Sequence, residues 1–242
     1  MTGPWADYWK DAIARELAGL MGLHTWDLVL ASKGDDGEPH MPAASNLCIA
    51  TMCSRSSDRA MAAWRSSRPS SWQMATLFKA RLVADGNTQQ YGVDFHNVFA
   101  TVVKSSTIRL VLVVAAANDY NLTQIDIRQA YLQAEVTEDL FMRVPPGTPA
   151  FDARGRPLVC KLRRSLYGLR QAGREWGMLF SAFLVSWGFV QSTIDTCLFT
   201  YTKGKLILWI LVYVGDCVIL DNESLLRSRF VTDLGYSASA SQ

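Results

Sequence analysis

The chain has 242 residues, is 49% hydrophobic, and carries 24 Lys+Arg against 22 Asp+Glu for a formal charge of +2. That composition excludes gross disorder and fibrous architecture, and the length suits one or two domains with a sizeable core. No apolar run approaches the ~20 residues that span a bilayer, and near-neutral charge argues against nucleic-acid binding by bulk electrostatics alone while leaving room for a local basic groove.

Met1 to Lys10 lacks a basic stretch followed by an apolar one, so no signal peptide is read there. Trp5, Trp9, Ile13, Leu17 and Leu20 recur at helical spacing, which predicts a helix over 5–20 closed by Gly22, with a strand at Thr25–Leu30. Residues 1–31 thus form an N-terminal helix and strand. Residues 32–76 are poorly patterned, rich in Ser, Arg, Met, Pro and Ala. They read as disordered or translated out of frame, with a disordered basic arm that touches RNA as the rival account.

Order returns at residue 77. Ser105 or Ser106 is positioned to cap a helix through Ile108, Leu112 and Ala115 to about Asn118. Strands are expected at Leu122–Ile127 and Leu158–Leu162, and a long helix at Gln171–Trp187 with Trp176, Phe180, Phe183 and Trp187 on one face. Cys197–Thr202, Leu206–Tyr213 and Cys217–Leu220 read as strands, separated by turns at Lys203-Gly204 and Val214-Gly215. The ordered body runs over 77–234, and 235–242 (YSASASQ at its end) reads as a disordered tail. Helices and strands mix without a strict βαβ repeat, so the class is α+β. Five cysteines, odd in number and without metal-knuckle spacing, read as reduced thiols of an intracellular protein, cytoplasmic or nuclear.

Two carboxylates stand out. Asp126 lies in a strand whose alternation puts Ile125 and Ile127 on one face and Gln124, Asp126 and Arg128 on the other; a half-exposed strand is the plain alternative. Asp216 is the lone charge of LILWILVYVGDCVIL, where a turn carboxylate is equally economical. Together they could hold hard divalent cations, which prefer oxygen ligands and can clamp both oxygens of a nucleotidyl transfer. Lys161, Arg163, Arg164, Arg170 and Arg174 form the densest basic stretch, either a phosphate-backbone track or a solvated face.

KARLVADGNTQQYGVDF (79–95), FATVVKSSTIRLVLVVAA (99–116), IDIRQAYLQAEV (125–136), CKLRRSLYGLRQAGREW (160–176) and LVYVGD (211–216) resemble, in order, the blocks of a copia-type retrotransposon reverse transcriptase. The resemblance implies the fingers and palm of a right-hand polymerase, with a central antiparallel sheet flanked by helices. It also implies RNA or DNA template-primer and dNTPs as partners, and Mg2+, or Mn2+, as cofactor. It assigns metal binding and catalysis to Asp126 and Asp216, sugar discrimination to Tyr131, triphosphate contact to Lys79 and Arg81, and base-pair positioning to Gln171. Where the family has Tyr-x-Asp-Asp, this chain reads Tyr213-Val214-Gly215-Asp216. Gly215 suits a tight turn through positive φ but removes a carboxylate. The chain also ends soon after Leu234, leaving nothing for a thumb. The expectation is a domain with very weak or no polymerase activity; the alternatives are a non-catalytic nucleic-acid-binding or assembly module, and a decayed transposon remnant.

Overall fold

The structure, a computed structural model, describes residues 6–33, 39–40, 49–55, 78–235 and 238–241. The remainder of the 32–76 segment, and with it most of the out-of-frame reading, lies outside the described residues. The fold is mixed α+β, and the chain divides into two units, Met1–His96 with Glu135–Ala172, and Asn97–Ala134 with Gly173–Gln242.

In the first unit, helix α1 (Ala6–Gly22) is followed by strand β1 (Trp26–Leu30), short strands β2 (Ser32–Lys33) and β3 (Pro39–His40), and β4 (Ile49–Arg55). β5 (Phe78–Ala84) runs antiparallel to β4, with Ile49 opposite Ala84. A regular strand therefore sits inside the stretch that sequence reads as unpatterned. Its Met, Cys, Ser and Ala side chains carry no strong strand preference, so its partner strand supplies what local pattern does not. β5 alternates cleanly: Ala80, Leu82 and Ala84 are buried. α1 lies against this strand, burying Ala12 and Leu20, and Glu16 accepts the Leu82 backbone N–H at 3.1 Å.

The second unit is built on a six-stranded sheet in the order β13-β6-β12-β11-β10-β9, antiparallel throughout. Its strands are β6 (Asn121–Ile127), β9 (Val190–Gln191), β10 (Leu198–Lys203), β11 (Leu206–Tyr213), β12 (Asp216–Asp221) and β13 (Ala238–Ser241). Between β6 and β9 in sequence come β7 (Phe141–Met142) and β8 (Leu158–Leu162), which belong to the first unit, where β8 pairs with β1 on one side and β7 on the other. The helices are α2 (Ser105–Asn118), α3 (Ala130–Gln133), α4 (Ala172–Trp187) and α5 (Ser224–Asp233).

Both faces of the central strands are covered, as expected for so apolar a run. On one face Ile125, Ile127, Leu208, Ile210, Cys217 and Ile219 pack with Trp176, Phe180 and Leu184 of α4 and Phe230 of α5. On the other, Leu198, Leu211 and Leu220 pack with Val111 and Ala115 of α2. Each fully buried large side chain contributes about 1.5–3 kcal/mol, so the aromatic face of α4 is the larger source of cohesion.

Three expectations change. Neither Ser105 nor Ser106 caps α2: Lys104 occupies that position, and its side chain makes no capping bond to the helix. The buried carboxylate of Asp195 does the work from a distant loop, accepting the Lys104 N–H at 3.0 Å and the Thr107 hydroxyl at 2.5 Å. The tail read as disordered places Ala238–Ser241 as a strand along β6. Finally, α5 forms where no helix is expected, with Glu223 at its N-cap accepting the Leu225 N–H.

Candidate functional site

β6 alternates as its sequence demands, with Ile125 and Ile127 buried and Gln124 and Asp126 exposed on the opposite face; Arg128, also exposed, follows the strand's end. β12 does the same, burying Cys217 and Ile219 and exposing Asp216. The two strands pair antiparallel with Asp216 directly opposite Asp126. Opposed residues share a face, with Cβ atoms about 4.5–5.5 Å apart. Two carboxylates far apart in the chain are thereby adjacent. Gln124 Nε2 donates to Asp216 Oδ1 at 3.5 Å. Burial pushes the thiol of Cys217 up, and the charges of Asp216 and Asp126 push it further in the same direction.

The turn between β11 and β12 carries Gly215. Gly215 does not have positive φ; Val214 does, at 57°, so the left-handed conformation falls on a β-branched residue and not on the glycine. Nothing in the backbone at 215 requires glycine on conformational grounds. A Cβ placed there would stand 3.5 Å from Asp126 Oδ1, 3.5 Å from the Ala130 Cβ and 3.0 Å from the Ile127 carbonyl oxygen. Position 215 therefore aims at Asp126, and only the last contact needs a shift of a few tenths of an ångström. The turn is held from two sides: Ile127 N–H donates to the Gly215 carbonyl at 2.8 Å, and the buried Trp176 Nε1–H donates to the Val214 carbonyl at 2.8 Å.

Tyr131 lies in α3, one turn beyond the end of β6, and is half-buried. Burial, and after it the neighbouring Tyr213, push its phenol up. Tyr213 is itself the cross-strand partner of Asp216. Asp126, Asp216, Gly215, Tyr131 and Tyr213 thus form one constellation in the second unit.

The remaining predicted residues fall largely in the first unit. Lys79 is a β5 position opposite Ser54, and Arg81, two positions on, places its guanidinium 5.6 Å from the Tyr167 ring centroid. Gln171 is buried and its amide is spent internally, donating to the Asp94 carbonyl at 2.9 Å and accepting from Gln89 Nε2 at 3.0 Å. It therefore secures the loop before α4. The basic stretch is likewise committed to partners within the unit. Lys161 pairs with Asp139 and Arg163 with Asp27, both at 2.6 Å. Arg164 donates to the Leu23 carbonyl and Arg170 to the Gly86 carbonyl. Arg174, in the first turn of α4, belongs to the second unit and is in no ion pair among the described residues.

Sequence reasoning misses Trp176 as a turn anchor and Asp195 as a helix cap. Trp176 reads as a core aromatic, which it also is, stacked on Phe180 with centroids 5.0 Å apart; only the position of its indole nitrogen reveals the second task.

The donor set suits a hard cation: two adjacent carboxylates, with the neighbouring Cys217 thiol buried on the other side of the strand. No cluster of three or more His, Cys, Asp or Glu able to hold a metal occurs among the described residues. No helix among them is long and apolar enough to cross a membrane.

A reverse transcriptase (RNA-dependent DNA polymerase) family profile matches residues 56–235, and the chain belongs to that family. Its similarity is to copia-type proteins. It is 37% identical over 227 residues to the retrovirus-related Pol polyprotein from transposon RE1 of Arabidopsis thaliana, covering 93% of this chain and 14% of that protein. Against the corresponding polyprotein from transposon RE2 of the same plant the identity is 35% over 223 residues, 91% of this chain and 14% of the relative. Against the one from transposon TNT 1-94 of Nicotiana tabacum it is 36% over 163 residues, 66% and 12%. The chain spans about 14% of the length of the first two relatives.

Proposed function

We propose that the chain is a reverse transcriptase fingers and palm region, built for template-directed addition of deoxynucleotides to a primer 3′ end, whose chemistry is crippled at Gly215. The observation that carries this reading is the cross-strand pairing of Asp126 with Asp216, together with a glycine whose missing Cβ points at Asp126. Asp126 and Asp216 would hold a divalent cation, which supplies charge neutralisation at the triphosphate and activation of the attacking hydroxyl. Deleting a ligand costs more than the 10–100-fold typical of disturbing a ligand's own partner. Tyr131, half-buried beside Tyr213, would limit space at the sugar. Lys79 and Arg81 would meet the triphosphate, and Gln171 would act through the loop it secures.

Primer extension on an RNA template with Mg2+ or Mn2+ tests this. The natural chain should be inactive or at least 100-fold below its Gly215→Asp variant; equal rates would contradict the reading. A second reading, a nucleic-acid-binding module without chemistry, is favoured by one observation: with glycine at 215 the hairpin still closes, Tyr213 pairing with Asp216 and β12 with β6, so the sheet surface does not depend on an acid there. RNA binding across a salt series without synthesis in either protein would support it.

A further inference from the structure

We propose that the outer face of α2 is a self-association surface that seats antiparallel on α2 of a second copy of this chain. A helix with one face on a core ordinarily presents polar residues outward. On α2 the inner face is occupied by Val111 and Ala115, yet Ile108 is 38% exposed, Leu112 47% and Val113 63%. With exposed Ala116 they form a stripe at helical spacing, the kind of contiguous apolar patch that marks an interface.

Charge selects the occupant. Arg109 and Asp119 lie exposed at opposite ends of the stripe, about 15 Å apart along the axis at 1.5 Å per residue. Neither is in an ion pair among the described residues. An antiparallel two-fold arrangement brings Arg109 of each copy to Asp119 of the other, so the pairing occurs twice. It also sets each guanidinium at the carbonyl end of the facing helix, where a cation is favoured. A parallel arrangement would oppose like charges. The same two-fold sets Leu112 against Ala116, large against small, which lets two helices approach closely. A nucleic-acid backbone would require cations along the face, and Arg109 is the lone one in the helix.

Sedimentation velocity over a concentration series, on the full chain and on Arg109→Asp, Asp119→Arg and the double reversal, tests the proposal without reference to polymerase activity. A concentration-dependent dimer is expected, with a dissociation constant raised at least tenfold by either single reversal and restored by the double. Val113→Glu, at the most exposed of the apolar positions, should dissociate the dimer while leaving unchanged the thermal melt measured at concentrations where the natural chain is monomeric. A monomer at every concentration, a dimer indifferent to these changes, a double reversal no better than the singles, or a particle that forms only on added RNA would overturn it.

Discussion

Trp176 of α4 donates its indole N–H to the carbonyl of Val214 at 2.8 Å, tying the aromatic core directly to the turn that carries position 215. The carbonyl it satisfies belongs to a residue with φ of 57°, a conformation that costs a β-branched side chain and is sustained by its surroundings. Trp176→Phe keeps most of the stacking on Phe180 and removes this bond. It should destabilise the protein by about 1–2 kcal/mol, measured by urea denaturation. In a Gly215→Asp background it should lower the extension rate more than it raises the KM for nucleotide; a change in KM alone would refute the anchoring role.

Asp195 is a pH-sensitive element of the fold. Burial works to raise its carboxyl, but the Thr107 hydroxyl, the Lys104 N–H, the Cys197 N–H and the Lys104 charge outweigh that and hold it below the usual carboxylate value. A lowered carboxyl contributes stability that is full above its unfolded value, about 3.9 for Asp, and is lost as pH falls through the folded value. Asp195→Asn should therefore lower stability at pH 7 and flatten the acid limb of the stability curve below about pH 4. Parallel acid limbs in the two proteins would argue against it.

Gln171 should behave as a structural residue whose effects reach beyond its own surface. Gln171→Leu strands the Asp94 carbonyl and the Gln89 amide, at a cost of about 1–3 kcal/mol for each buried group left unpaired. A melting transition unchanged by this substitution would return Gln171 to the role of a direct substrate contact.

Asp221 is fully buried and paired with Arg227 at 2.6 Å. Arg227→Ala leaves the carboxylate buried with Asn121 as its one remaining side-chain partner among the described residues, and should cost about 3–5 kcal/mol. Asp221→Asn combined with Arg227→Met should recover much of that loss, by the same urea measurement.

Much of the second unit is legible in sequence because local pattern and tertiary environment agree. The alternation around Asp126 predicts both its exposure and the burial of Ile125 and Ile127, and the strand over Leu206–Tyr213 has the bounds its apolar run suggests. What is not legible depends on partners distant in sequence. Hydrophobic periodicity does not specify the register that opposes Asp216 to Asp126, and the resemblance supplies the idea before the ladder supplies the geometry. The basic stretch reads as a track because its charge density is local, whereas Asp139 and Asp27, which engage Lys161 and Arg163, lie elsewhere in the chain. Positive φ is assigned to Gly215 on composition alone, but the strain falls on Val214, whose carbonyl Trp176 holds. β4 is missed because its two β-branched residues, Ile49 and Thr51, stand beside Met, Cys, Ser and Ala without an alternating pattern, and the strand is ordered by pairing with β5.

In the proposed function, position 215 is the absent third donor beside Asp126 and Asp216. Manganese binding followed by electron paramagnetic resonance measures this without requiring turnover. The natural chain should bind weakly, Gly215→Asp at least tenfold more tightly, and Gly215→Asp with Asp126→Asn should fall back to the level of the natural chain. Equal manganese affinity in the natural chain and its Gly215→Asp variant, with both folded, would contradict the account.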